Sequence, residues 1–316
     1  MMLRRRSLML SSLLATPAVA QPAYPSRAVT IVVGFSAGGT TDATARQIAD
    51  YAQGKLGVPV VVENRPGAGA TIAADRVAKS RPDGYTLTIT SVSPFVIAPQ
   101  IQRQPYDAMK DFTFIGRYAA SPSPAYVLTE SPLATWQHVL DYAKAHPGDL
   151  KWTVAAPRGA AHIATQAAFT HLGLETTFVP FGSMADGLTS LLNGTVDMAV
   201  STDYPNLLAA GRVKLLAEIG TERLPGMEAL PTFGELGYPL CLSTAFGLGG
   251  PAGLSPEIVS TWEKILEEVV QTPAWNTLMQ RFYSVSAYEG SAAYTARLHQ
   301  EYAAAGPQIR RLNLAL

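Results

Sequence analysis

Short runs of β-branched residues alternate with helical segments along the sequence, and this alternation limits the possible folds more than any other feature. Buried strands are predicted at Val29–Gly34, Val58–Glu63 and Tyr85–Thr90. A first helix is predicted to end near Lys55, and a second covers about residues 71–80. Two helices alternating with three strands predict a parallel sheet with helices on both faces.

The alternation resumes after a proline-rich stretch, Ser121–Pro124, which marks a predicted domain boundary. An apolar strand at Thr244–Gly249 later precedes a long helix at about 256–271 and a helical C-terminal region. We expect two α/β domains, the second of which is inserted in the first. The predicted limits are 21–124 for the first part of domain 1, 125–240 for domain 2, and 241–316 for the return to domain 1.

The N-terminus has the pattern of an export signal. Arg4–Arg6 form a basic segment, Leu8–Leu14 an apolar core, and Ala18–Ala20 a cleavage site that would leave Gln21 as the mature start. The apolar core is shorter than the roughly 20 residues that a membrane span needs. The segment Arg5–Leu8 also looks somewhat like a twin-arginine signal, so the sequence leaves the export route open.

Composition excludes several classes of protein. The chain has 24 basic and 24 acidic residues, so it has no positive excess for a nucleic-acid surface. Its one cysteine, Cys241, can form neither an intrachain disulfide nor a structural thiolate zinc site. There is no G-x-x-x-x-G-K-[ST] motif, and Gly67–Ile72 lacks the third glycine of a dinucleotide fingerprint. We therefore expect no cofactor and no metal.

Two glycine-containing segments connect a predicted strand to a predicted helix. We call Phe35–Asp42 the first turn and Ala156–His162 the second turn. Ligands of open α/β sheets sit beyond the carboxyl ends of the strands, and helix N-termini attract anions. Two such turns, one in each domain, could face each other and hold a small carboxylate. The alternative is that the glycines only ease the turns.

Signatures of catalysis are missing from the sequence. The five histidines form no H-E-x-x-H motif, and no G-x-S-x-G elbow occurs. Ser36 and His162 are the obvious nucleophile–base pair, but no third member is evident. We predict a protein that is not an enzyme and keep an exported hydrolase using the same cleft as the alternative.

Several motifs resemble those of one family. Val62–Gly69 resembles the E-N-R-P-G-A-G signature of the substrate-binding proteins of tripartite tricarboxylate transporters, the Bug family. Further matches follow in the order in which the family has them. The first turn resembles P-F-x-x-G-G-x-x-D, Pro82–Leu87 resembles P-D-G-Y-T-L, and Pro105–Phe112 resembles P-Y-D-x-x-K-D-F. Later in the chain, Val179–Asp197 resembles V-P-Y followed by L-x-x-L-L-x-G-x-V-D, and Pro251–Gly253 resembles the end of A-P-A-G. The resemblance covers nearly the whole chain after the export signal.

This resemblance implies a periplasmic solute-binding protein with the two-domain, type II Venus-flytrap fold. Its ligand would be a mono-, di- or tricarboxylate, an amino acid or an aromatic acid, held between the domains. The partners would be membrane subunits of a tripartite carrier, or a sensor, and we expect a monomer. The ligand-binding residues that the resemblance implies are Phe35, Ser36, Ala37, Gly38, Gly39, Thr40, Ser91, Ser93, Gly159, His162 and Asp203. We add Arg158 as a hypothesis of its own and Phe181 as a weaker candidate, for which core packing is the alternative.

The chain departs from the family pattern at the expected site. Gly34 stands where proline is usual, and Ala160 and Ala161 replace residues that carry a hydroxyl. Arg158 replaces a small residue, which leads to the hypothesis that its guanidinium holds a ligand carboxylate bidentately. The alternative is an arginine exposed at the rim. Phe95 is a weaker candidate for ligand contact, and core packing is its alternative.

Overall fold

The protein carries two β-sheets with helices packed against them. The computed structural model describes residues 24–223 and 226–314. The predicted export signal at residues 1–20 lies outside the described residues. Within those residues, no helix has the length and apolar character needed to cross a membrane.

The strands are short, and most are rich in β-branched or aromatic residues. In chain order they are β1 (Val29–Val33), β2 (Val60–Asn64), β3 (Thr86–Ser91), β4 (Phe112–Ser121), β5 (Pro124–Leu128), β6 (Lys151–Val154), β7 (Thr177–Phe178), β8 (Met198–Val200), β9 (Val213–Glu218), β10 (Thr244–Pro251) and β11 (Val285–Gly290). Buried Val and Ile fill β1 on both faces, as expected for a strand covered on two sides.

The helices occupy most of the connections between these strands. They are α1 (Thr40–Leu56), α2 (Thr71–Ala78), α3 (Ala98–Ile101), α4 (Trp136–Ala145), α5 (Ala160–His171), α6 (Met184–Leu192), α7 (Pro205–Ala209), α8 (Pro256–Val269), α9 (Pro273–Arg281) and α10 (Ser291–Arg311). A 3₁₀ turn at Ala68–Ala70 precedes α2, and a π-helical turn at Ser93–Ile97 precedes α3. In α1, Ala45, Ile48, Ala49 and Ala52 form the buried stripe, and Gly57 ends the helix in the left-handed conformation.

The first sheet has six strands in the order β11-β4-β10-β3-β1-β2. β1 runs parallel to β2 and β3, which confirms the predicted parallel unit. β10 runs antiparallel to both β3 and β4, so the complete sheet is mixed. We call the part of the protein built on this sheet the first lobe.

The second sheet has five strands in the order β7-β6-β8-β5-β9. β6 runs parallel to β7 and β8, whereas β5 runs antiparallel to β8 and β9. We call the part built on this sheet the second lobe. Each lobe therefore contains three adjacent parallel strands, and each of the two sets is extended by antiparallel strands.

The two lobes are joined by neighbouring segments of chain. Pro122 and Ser123 connect β4 to β5, and the segment between β9 and β10 returns to the first lobe. At this junction the buried Glu218 accepts a hydrogen bond from the Ser123 main-chain nitrogen at 2.9 Å. Burial raises the pKa of Glu218 to about 7, although main-chain hydrogen bonds oppose the rise.

The predicted elements are present, with most ends within two residues, but two strands were missed. β4 was not predicted because Gly116 and Arg117 interrupt its apolar residues, and it is buried on both faces without alternation. β11 lies in the C-terminal region that we expected to be entirely helical, so that expectation is wrong at 285–290. β11 pairs at the sheet edge with β4, and its residues are only partly buried, which leaves a weak sequence signal.

Candidate functional site

A cavity of about 510 Å³ lies between the two lobes. It is reached by the carboxyl ends of the parallel strands of both sheets. In the first lobe these are the segments after β1, β2 and β3, and in the second lobe those after β6, β7 and β8. This is the place where open α/β sheets bind ligands, because side chains and helix N-termini converge there.

The first turn is held in place by Asp42, which lies near the N-terminus of α1. Its carboxylate accepts hydrogen bonds from the Gly38 nitrogen at 2.9 Å, from Asn64 Nδ2 at 2.9 Å and from Arg46 Nε at 3.0 Å. Asn64 also donates to the Phe35 carbonyl at 3.1 Å. Burial alone would raise the pKa of Asp42, but the hydrogen bonds outweigh it and the pKa is lowered.

The backbone of the first turn is exposed to the cavity. Gly39 is the N-cap residue of α1, and no side chain among the described residues caps this helix. The free main-chain N–H groups at the N-terminus of α1 therefore have the polarity that attracts an anion. Gly34, at the start of this segment, has no room for a side chain, because a Cβ there would lie 2.3 Å from the Cβ of Ala70. This contact explains why the chain carries glycine at that position.

The second turn is closed by a residue of the opposite lobe. Gly159 is the N-cap of α5, and the Ala160 nitrogen donates a hydrogen bond to Ser93 Oγ at 3.0 Å. Ser93 belongs to the first lobe, so the cap of this second-lobe helix comes from across the cleft. A Cβ on Gly159 would lie 2.8 Å from Ser93 Oγ, and the glycine thus permits the contact.

Two more hydrogen bonds join the lobes around the cavity. Thr40 Oγ1 donates to the Thr202 carbonyl at 3.2 Å. Arg158 Nη1 donates to Gln102 Oε1 at 2.7 Å. The lobes therefore touch at both turns.

Neither Arg158 nor His162 is among the described residues that line the cavity, although Pro157, Ala160 and Ala161 are, and this favours the alternative of an arginine at the rim. Arg158 is exposed, and its guanidinium contacts Gln102 instead of facing the cavity. His162 Nδ1 accepts a hydrogen bond from the Arg158 nitrogen at 2.8 Å, and its ring stacks on Phe178 at 3.9 Å. Burial, with the charge of Arg158, lowers the pKa of His162 to about 4.

Most of the other predicted site residues do line the cavity. They are Phe35, Ser36, Ala37, Gly38, Gly39, Thr40, Ser91, Ser93, Phe181 and Asp203. Gly159 is not among the lining residues, although its neighbours Pro157 and Ala160 are. Phe95 is fully buried against Phe112 and Phe114, so it has the role of a core residue. Ser36 and His162 do not meet in the cavity, which leaves the hydrolase alternative without its pair.

Sequence reasoning missed several lining residues. The loop Pro66–Ala70 lines the cavity, and so do Ser123, Phe246 and Phe282 near the junction of the lobes. The glycines of the loop could have indicated it, because glycine permits a close approach to the main chain. The junction residues carried no local signal, since only the packing of distant segments brings them to the site.

The chemistry of the cavity is that of an apolar chamber with helix N-termini in its wall. Among the lining residues that the structure describes, none is Lys, Arg or His, and Asp203 is the only acid. The N-termini of α1, α5 and α6 supply the positive polarity instead. The Ser91 hydroxyl is buried in this wall and has no hydrogen-bond partner in the part of the chain that the structure describes. No group of described residues could hold a metal ion.

A cavity between two α/β lobes, lined by helix N-termini, is the arrangement of a two-lobed solute-binding protein. The family model described as tripartite tricarboxylate transporter family receptor (TctC) matches residues 44–314. The chain belongs to this family. The family is one of receptors, which confirms the prediction of a binding protein over a hydrolase.

Individual relatives agree with this membership. The UPF0065 protein in the gbd 5′ region of Cupriavidus necator is 31% identical over 89% of this chain and 86% of that protein. Protein BugT of Bordetella pertussis is 31% identical over 83% of each chain.

Solved structures share the fold over almost their whole length. Periplasmic binding protein BugD has a TM-score of 0.84 at 27% identity, covering 92% of this chain and 99% of that chain. Rpa4515 of R. palustris with adipate has a TM-score of 0.83 at 28% identity, covering 92% and 98%. MatC of Rhodopseudomonas palustris with bound malate has a TM-score of 0.82 at 26% identity, covering 90% and 100%. These similarities confirm the predicted periplasmic-binding-protein fold.

Proposed function

We propose that this protein captures a small organic acid in the cavity between its lobes. The observation that carries the proposal is the first turn, where the uncapped N-terminus of α1 opens into an apolar chamber. Main-chain N–H groups at a helix N-terminus bind a carboxylate well, and the apolar wall would hold the rest of the ligand. The adipate and malate bound by the two similar proteins support this ligand class.

The proposal extends to how the protein works. Residues 21–124 with 241–316 form one unit, residues 125–240 form the other, and a hinge at their junction opens the cleft. The ligand-binding residues are those of the first turn, Ser91, Ser93, Phe181 and Asp203. The protein acts in the periplasm after removal of residues 1–20, as a monomer that delivers its ligand to membrane subunits of a tripartite carrier or to a sensor.

A thermal-shift screen of the mature chain tests the proposal. The protein is unfolded and refolded first, so that any ligand bound in the host is removed. The panel holds aliphatic mono- and dicarboxylates, citrate, amino acids and aromatic acids, each paired with its uncharged amide. An acid at about 100 times its dissociation constant should stabilise the fold by roughly 2.7 kcal/mol, and its amide should not. No stabilisation by any acid, or equal stabilisation by the amides, would contradict carboxylate capture.

A further inference from the structure

Asp203 is an unusual residue for the wall of an anion-binding cavity. It is the only ionisable side chain among the lining residues that the structure describes. Its Oδ1 lies 2.7 Å from the point where a Cβ of Gly39 would stand, so the carboxylate sits beside the N-cap of α1. A ligand carboxylate held at the first turn would therefore have Asp203 as a neighbour.

The Asp203 carboxylate is left without a hydrogen-bond donor in the described part of the chain. Its own main-chain nitrogen donates to Ser201 Oγ at 3.0 Å, but no described group donates to its side chain. Burial is the cause that raises its pKa to about 6. Asp203 is only partly buried and faces the cavity, so a bound ligand without a donor would desolvate its charge at a cost, and a ligand carboxylate beside it would add repulsion. A donor supplied by the ligand would remove both penalties.

The remaining wall restricts the rest of the ligand. Phe35, Val92, Phe181, Met184, Leu188 and Phe246 contribute apolar surface. No lysine, arginine or histidine among the described lining residues could pair with a second carboxylate of the ligand. The buried hydroxyl of Ser91 has no hydrogen-bond partner among the described residues, so it can donate a hydrogen bond to a polar group of the ligand or accept one from it.

From this geometry, and resting on the proposed function, we infer that the ligand is an acid with its own hydrogen-bond donor close to the carboxylate, and that Asp203 accepts that donor. The donor is an ammonium or hydroxyl group on the carbon next to the carboxylate, and the rest of the ligand is apolar. The first turn holds the ligand carboxylate, Asp203 holds the donor, and the apolar wall covers the body. Asp203 is then the residue that discriminates between substituted acids and their unsubstituted parents.

Matched ligands that differ only in the donor test this inference by calorimetry on the refolded mature protein. One series is phenylalanine, 3-phenyllactate and 3-phenylpropanoate. A second is leucine, 2-hydroxy-4-methylpentanoate and 4-methylpentanoate. A third is aspartate, malate and succinate, which adds a second carboxylate. In an apolar series, the amino or hydroxy acid should bind at least tenfold more tightly than its parent, and the dicarboxylates should bind more weakly than the apolar acids.

The variant Asp203→Ala should reduce this preference to less than about threefold, because it removes the acceptor oxygens, and Asp203→Asn, which keeps an acceptor oxygen, should improve binding of the unsubstituted parent because the repelling charge is gone. Asp141→Asn is the matched control, since Asp141 is exposed on α4 and this substitution removes the same charge at a position outside the cavity. It should leave all affinities unchanged. The comparison of ligands on the unaltered protein stands even if a variant does not fold.

Three outcomes separate this inference from the proposed function. Equal binding of substituted and parent acids would overturn the inference and leave acid capture intact. A preference that persists in Asp203→Ala would also overturn it, because another group would then be the acceptor. Binding only of acids outside these series would overturn the inference as well. Failure of every acid to bind would overturn the proposed function itself.

Discussion

The two glycine turns look alike in sequence but meet different atoms from the opposite lobe. At the first turn, Asp203 Oδ1 approaches the Cβ position of Gly39 to 2.7 Å. At the second turn, Ser93 Oγ approaches the Cβ position of Gly159 to 2.8 Å. Only the second contact is completed by a hydrogen bond, from the Ala160 nitrogen. Each glycine therefore makes room for an oxygen, but the two oxygens differ in chemistry.

This difference assigns different roles to two helix N-termini of the same type. The hydroxyl of Ser93 satisfies an N–H group of α5, so the second turn serves as a contact that holds the lobes together. The carboxylate of Asp203 lies near α1 without satisfying its N–H groups, so the first turn keeps its capacity for a ligand. The two turns that the sequence analysis paired therefore differ in one respect: the second has a helix N–H bonded across the cleft by Ser93, whereas Asp203 makes no such bond at the first.

The largest expected effect comes from adding a methyl group at the N-cap glycines. In Gly159→Ala the new Cβ would meet Ser93 Oγ at 2.8 Å and the Ala156 carbonyl oxygen at 3.0 Å, so the lobes cannot close fully. Calorimetry should show at least a tenfold loss of ligand affinity, about 1.4 kcal/mol. Gly39→Ala should lose less, because its Cβ meets only the end of the Asp203 side chain.

Gly54→Ala is the control for both glycine variants, since no atom lies within 4 Å of its Cβ position inside α1. It should keep the affinity and stabilise the fold by about 0.5–1 kcal/mol. Unchanged affinity in Gly159→Ala would show that the contact at the second turn does not govern closure.

The next effect concerns pH, because the first turn faces Asp203, which is the only ionisable side chain among the described residues that line the cavity. Burial raises the pKa of Asp203 to about 6, so it gains a proton as the pH falls from 7.5 to 5.5. Affinity for an acid without a donor should rise several-fold over that fall, because protonation removes the repulsion. Affinity for an amino acid should decrease instead, since its ammonium group pairs with the charged form. Calorimetry at a series of pH values measures both trends.

Asp203→Asn should abolish both pH trends, whereas Ser93→Ala should keep them. The comparison with Asp203→Asn is needed because Glu218, with its pKa raised to about 7, titrates in the same range at the junction of the lobes. The pKa of His162, lowered to about 4, lies below the range. Identical pH profiles for the unaltered protein and Asp203→Asn would place the pH response elsewhere.

Removal of the cap at the second turn should have a smaller effect. Ser93→Ala deletes the hydroxyl that joins the lobes, and an N-cap is worth about 1 kcal/mol. We expect about a fivefold loss of ligand affinity. Thr135→Ala is the matched control, because Thr135 caps α4 within the second lobe. It should lower the free energy of unfolding by about 1 kcal/mol and leave the affinity unchanged. Equal affinity losses in the two variants would show that the hydrogen bond from the Ala160 nitrogen to Ser93 Oγ does not affect ligand affinity by joining the lobes.

The smallest expected effect is that of Arg158→Ala. Its guanidinium is exposed and bonds to Gln102 across the cleft, and such exposed contacts contribute little. Affinity for any bound acid should change by no more than about twofold, and Gln102→Ala should have the same effect. A large loss in Arg158→Ala alone would restore the hypothesis that this side chain holds the ligand.

Much of the fold could be predicted because its strands and helices carry local signals. β1 is a continuous β-branched run, and α1 ends at a glycine that adopts a positive φ of 68°. β4 escaped prediction because burial on both faces removed the alternation that marks a half-buried strand. The first turn was recognised as a site because its glycines and the helix start are adjacent in sequence.

The errors at the site concern the directions of side chains. The sequence placed Arg158 in an anion-binding turn, but it could not indicate that Gln102 would receive the guanidinium. It also gave no sign that Ser93 would cap a helix 67 positions away. Both contacts depend on how the lobes meet, which is a property of the assembled fold.

The sequence by itself determined the alternation of strands and helices, the two glycine turns and the family, because each of these is encoded in residues that are close along the chain. Only the tertiary structure decided that Ser93 bonds to one turn and that the Asp203 side chain lies at the other with no hydrogen-bond donor among the described residues. The physical reason is that Gly39 and Asp203, like Ser93 and Ala160, become neighbours only when the two lobes pack against each other. Removal from water then affects the Asp203 carboxylate more than the Ser93 hydroxyl, because a desolvated charge without a hydrogen-bond donor costs more free energy than a desolvated neutral group.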